Sequence, residues 1–134
     1  MSFFFPVKQA TLLIPSGPSH DKTRKHLFIL LTDQQGKEKF VLIVSVSSVR
    51  KVQYFDSSCV LTSKDHEFIK HDSYVVYQKS RIEPASKLHK GVEEKKFLYK
   101  GLVDKEVLER ICEGLIKSKH TLPKIKRFFM ESQK

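Results

Sequence analysis

The chain has 134 residues, the length of one domain, and 40% of them are hydrophobic, enough for a single core and too many for global disorder. Its 25 Lys and Arg against 15 Asp and Glu leave a formal charge of +10, which points to an acidic partner, nucleic acid first and an acidic protein second. Two cysteines, Cys59 and Cys112, form no CxxC pair, which argues against a disulfide scaffold and for buried thiols in a reducing cytosol.

In chain order, residues 7–14 read as a first strand, ended by Pro15-Ser16-Gly17-Pro18. The opening MSFFFPVK is apolar, but too short for a signal peptide and without a preceding positive segment. No apolar stretch reaches the roughly 18–20 residues that span a bilayer, so no membrane association and a cytoplasmic location are expected. Residues 19–26 (SHDKTRKH) are densely polar. The apolar runs Leu27–Leu31 and Phe40–Val46, with Asp33-Gln34-Gln35-Gly36 between them, predict a hairpin of two well-buried strands.

Cys59-Val60-Leu61 and Tyr74–Tyr77 are further strand candidates. After Pro84 a Lys-rich loop is expected, then an edge strand over Lys96–Tyr99. From Asp104 the period changes. Val107, Leu108, Ile111, Cys112, Leu115 and Ile116 form a stripe that predicts an amphipathic helix over about 104–118, capped by Asp104. A basic tail, 119–134, follows, with a short turn past Pro123. Five or so short strands closed by one helix describe a single mainly β domain, 1–134: a small, strongly bent sheet or barrel.

Several chemistries lack their residues. The five glycines are scattered, so neither GxxxxGK[ST] nor GxGxxG occurs, and no GxSxG elbow is present. His66 and His71 stand at HxxxxH, which is not a recurring zinc spacing, so neither a metal nor another cofactor is expected. Metal-free RNA cleavage remains. It needs a base for the ribose 2′-hydroxyl, a donor to the pentavalent phosphorane and an acid for the 5′-oxygen. Side chains suited to these roles occur in 19–26 and 65–81, with Ser45-Val46-Ser47-Ser48 between them. Each also has a structural reading: a loop hydrogen bond for His66, a turn for Ser73, an ion pair with Glu83 or Asp72 for Arg81, solvation for Arg24 and Lys25.

The order of these segments resembles the MazF/PemK family of toxin endoribonucleases. The resemblance runs through the N-terminal strand, the basic loop leading into Lys25-His26-Leu27-Phe28-Ile29-Leu30, and Val44-Ser45-Val46-Ser47-Ser48. It continues in Asp72-Ser73-Tyr74-Val75 through Arg81 and ends in the C-terminal helix. It implies a small SH3-like β-barrel, usually dimeric, that cuts single-stranded RNA without metal and is held by a cognate acidic antitoxin. By this resemblance Lys25, or Arg24 beside it, takes the place of the family's loop arginine, with His26 where proline is expected. Ser47 takes the place of its threonine, and Ser73 and Arg81 match its serine and later arginine. Chemistry is then expected at Arg24, Lys25, His26, Ser47 and His66, and RNA contacts at His20, Lys22, Ser48, His71, Ser73 and Arg81. The competing expectation is a non-catalytic module of the same shape that binds nucleic acid or an acidic protein. In a third reading the chain is a subunit that docks through Phe3-Phe4-Phe5 and Phe128-Phe129-Met130.

Overall fold

A computed structural model describes residues 4–17, 24–50 and 54–134. Strands β1 (Ala10–Pro15), β2 (Lys25–Leu30), β3 (Phe40–Ser48), β4 (Val60–Leu61), β5 (Ser73–Pro84) and β6 (Leu98–Leu102) form one antiparallel sheet, in the order β4-β5-β3-β2-β1-β6. The sheet is curled into a half-barrel. Helices α1 (Ala85–Glu93), α2 (Lys105–Lys117) and α3 (Pro123–Ser132) complete the fold. Among the described residues no helix is long and apolar enough to cross a membrane.

The central strands read as unbroken apolar runs because both faces of the sheet are buried. Leu13, Leu27, Ile29, Leu42, Val44, Val46, Val75 and Tyr77 point to one face, where α2 and α3 bring Val107, Leu108, Ile111, Leu115, Ile125 and Phe129. Leu12, Ile14, Phe28, Leu30, Val41 and Ile43 point to the other, where they meet Ala85 and Leu88 of α1 and Phe4. The expected hairpin is present, with Gly36 at φ +74° in its turn, a conformation open to glycine at little cost.

Two segments differ from the sequence expectation. Residues 85–93 are helix α1 rather than a Lys-rich loop: Ala85, Leu88 and Val92 supply an apolar stripe that the surrounding lysines obscure. The tail contains the ten-residue helix α3 with Pro123 at its first turn; of Phe128-Phe129-Met130, Phe129 joins Ile125 in the core while Met130 is exposed. Phe4 is likewise buried, while Phe3 lies outside the described residues. The strand expected at Tyr74–Tyr77 also runs longer than its apolar run, because β5 extends to Pro84. Its ladder with β3 shifts register: Ile43 pairs with Arg81 but Ser45 with Val76, so residues 77–80 form a bulge that keeps Tyr77 in the core and leaves Gln78 and Lys79 exposed. Ser80 Oγ donates to the Tyr77 carbonyl at 2.7 Å across that bulge.

Candidate functional site

Antiparallel pairing brings the start of β2, the end of β3 and the start of β5 to one end of the sheet. A cleft of about 260 Å³ opens there, lined by Arg24, Lys25, His26, Ser47, Ser48, Phe68, Lys70, His71 and Ser73. Residues 24–26 and 68–73, far apart in the chain, therefore meet beside the serines that end β3. A second cleft of about 130 Å³ adjoins it and shares His26, with Ser16, Phe28, Ser45, Val76, Lys79 and Arg81.

The register explains this convergence. Phe28, Ser45 and Val76 are ladder partners across three strands, and so are Ser47 and Tyr74. Continuing the β2–β3 register two residues places His26 abreast of Ser47. These residues occupy the face that carries α1, but at the end of the sheet that α1 leaves bare. Burial on one face fixes the register, and the same alternation aims His26 and Ser47 at the open end.

His26 is half-buried, and its Nδ1 lies 2.8 Å from Ser16 Oγ. The Ser16 hydroxyl also lies 3.1 Å from the Ile14 carbonyl; with its hydrogen on that carbonyl, Ser16 accepts from Nδ1–H and Nε2 keeps its lone pair. Burial, then the charges of Arg24 and Lys79, hold the His26 pKa below its ordinary 6.5. A neutral imidazole amid fixed cations can accept a proton at neutral pH. Arg81 lays its guanidinium 4.6 Å from the centre of the Phe28 ring, a cation–π contact that orients it over the second cleft. The acids weighed against Arg81 do not hold it: Glu83 pairs with Lys87 at 2.5 Å, and no ion pair joins Arg81 to Asp72 among the described residues.

The remaining expected residues take different places. Ser73 is buried, and its hydroxyl donates to the His71 carbonyl at 2.8 Å, which seats the loop carrying the exposed His71. His66 does not line either cleft. Its Nδ1 accepts from the Phe68 N–H at 3.0 Å, and its Nε2 lies 3.0 Å from the Lys100 carbonyl and 3.3 Å from Thr11 Oγ1. Both nitrogens thus serve the 66–71 loop, the structural reading given for this histidine above. His20 and Lys22 lie outside the described residues. Ser16, Lys79, Phe68 and Lys70 were missed. Ser16 was read only as turn chemistry, and the bulge that presents Lys79 has no sequence signature.

Neither cysteine has the character of a nucleophile. Burial raises the Cys59 thiol and pushes that of Cys112 up to about 11. Among the described residues no group of three or more His, Cys, Asp or Glu comes together as a metal site. No family model, curated protein or solved structure matches the chain.

Proposed function

We propose that the protein is a metal-independent endoribonuclease acting on single-stranded RNA, a divergent SH3-like barrel of the MazF/PemK type and the toxin of a toxin–antitoxin pair. The observation that carries the reading is the meeting of Arg24, Lys25, His26, Ser47 and His71 around one cleft, with a histidine whose lone pair and lowered pKa suit a base. Under this proposal His26 Nε2 takes the proton of a ribose 2′-hydroxyl. The 2′-oxygen attacks the adjacent phosphorus, and the bond from phosphorus to the 5′-oxygen breaks. Arg24, Lys25 and the Ser47 hydroxyl stabilise the charge that builds on the phosphorane. His71, at the same cleft, is the candidate donor of the proton taken up by the leaving 5′-oxygen. The products are a 2′,3′-cyclic phosphate and a 5′-hydroxyl. The same positive field draws an acidic antitoxin, and a homodimer would extend the groove across two copies.

Purified protein incubated with long single-stranded RNA in EDTA tests this directly. Discrete cuts bearing those two end groups, lost in His26→Ala, are the expected result. If the folded protein leaves varied RNA sequences intact, it is not a ribonuclease; salt-dependent binding without turnover would then favour the non-catalytic module.

A further inference from the structure

Beside the second cleft lies a pocket of about 210 Å³ that the cleavage chemistry does not use. Its lining includes Tyr54, Phe55, Tyr74, Tyr77 and His120, together with Asp56 and Gln78. Phe55 and Tyr74 pack with ring centres 5.1 Å apart, tilted by 39°. Tyr54 meets His120 edge-on at 6.2 Å, and its hydroxyl lies 3.5 Å from His120 Nε2. Tyr54 is 85% exposed, so its ring face is spent on no core. The one acid here is already engaged. Asp56 accepts from Ser118 Oγ at 2.5 Å, Ser58 Oγ at 2.6 Å and the Ser58 N–H at 3.0 Å, which ties the 54–58 segment to the end of α2.

The pocket adjoins the Lys79/Arg81 cleft. Val76 lines both it and the Lys79/Arg81 cleft. Tyr74 is the ladder partner of Ser47, which lines the first cleft. A polymer whose phosphates follow Lys25, His26, Lys79 and Arg81 thus passes a slot of aromatic faces one strand away.

We propose that this aromatic slot is a base-stacking subsite, taking an unpaired nucleobase of the RNA strand whose backbone lies in the adjoining cationic cleft. The inference rests on the single-stranded RNA reading above and adds where a flanking base is held. Stacking accepts any base face, so the slot adds affinity with little sequence preference.

The test is fluorescence anisotropy with a labelled 2′-fluoro RNA, which lacks the nucleophilic hydroxyl and is not cut. It is run beside an otherwise identical oligonucleotide with abasic sites. Tyr54→Ala should weaken binding of the intact oligonucleotide about tenfold, Tyr54→Phe should leave it near wild type, and the salt dependence should not change. The abasic oligonucleotide should bind the wild type weakly and be indifferent to Tyr54→Ala. Thermal melting checks that both variants are folded. If Tyr54→Ala binds like the wild type while Lys25→Ala binds weakly, the slot proposal is overturned and the cationic cleft stands. If the wild type binds neither oligonucleotide at low salt, both readings fall.

Discussion

Ser16 Oγ lies 2.8 Å from Nδ1 of His26, a contact that occupies one of the two ring nitrogens. With its hydroxyl hydrogen on the Ile14 carbonyl, 3.1 Å away, the serine accepts from the ring. The pairing crosses from the end of β1 to the start of β2, where Pro15 and Lys25 are ladder partners. A turn serine thereby becomes an orienting group for the candidate base.

The first prediction concerns this pair. His26→Ala should lower the rate of RNA cleavage by about 10²–10⁴-fold, the usual worth of a general base. Ser16→Ala should cost less, roughly tenfold, the equivalent of one hydrogen bond of about 1.5 kcal/mol. Because the His26 pKa is lowered from 6.5, the base stays unprotonated at neutral pH. Loss of the base should therefore not lower kcat/KM as pH falls toward 6.5, and the decline should come only below it. A profile already falling between pH 8 and 7 would remove His26 as the base.

Phosphate contacts should be readable in the salt dependence of binding. Each contact to a single strand contributes about −0.7 to the slope of log K against log salt. Lys25→Ala should make that slope shallower by about 0.7, measured by titration at four or more salt concentrations. Lys87→Ala, on α1 and already paired with Glu83, should leave the slope unchanged.

A third expectation tests packing. Tyr77 is fully buried and its hydroxyl donates to the Ile111 carbonyl of α2 at 2.7 Å. Gly114, one turn along that helix, has its open side against the same phenol, and a methyl there would collide with it. Gly114→Ala should destabilise the fold by about 1–3 kcal/mol despite the better helix propensity of alanine. Tyr77→Phe alone should cost about 1 kcal/mol. In urea unfolding the double variant should lose less than the two single losses combined, since removing the hydroxyl relieves part of the collision.

Acid should loosen the molecule at two carboxylates. Burial tends to raise the Asp56 pKa, but the Ser118 and Ser58 hydroxyls outweigh it and hold the group below 3.8. Asp65 is held low in the same sense, burial being overcome by Arg110, whose Nη1 lies 2.8 Å away. Groups with a depressed folded pKa stabilise fully above their unfolded value and lose that contribution as pH falls through the folded one. The Tm should therefore drop as pH falls below about 3.8. The drop should be shallower in an Asp56→Asn, Asp65→Asn double variant, whose Tm at pH 7 should already be reduced.

Much of the architecture was legible from period and punctuation. The 104–118 stripe became α2 over Lys105–Lys117, and the runs flanking Gly36 became a hairpin. Within that stripe Ile116 is 41% exposed, because α2 turns its opposite side to the sheet. Helix α1 was hidden by composition: Lys87, His89 and Lys90 are interleaved with the few apolar residues that seat it. For His66, the text of the chain shows an imidazole in a polar loop. The partners that occupy it, Thr11 and the Lys100 carbonyl, come from β1 and β6, at separations of 55 and 34 residues.

Composition and spacing were enough to settle a small basic domain with mainly β elements and a helix near the end, because charge counts and side-chain period are local properties. Which polar groups share a cleft was decided by strand order and register. Antiparallel pairing set His26 abreast of Ser47, and the bulge at 77–80 brought Lys79 to them. Burial on both faces of the sheet selects that register as a cooperative whole, and no single segment carries it.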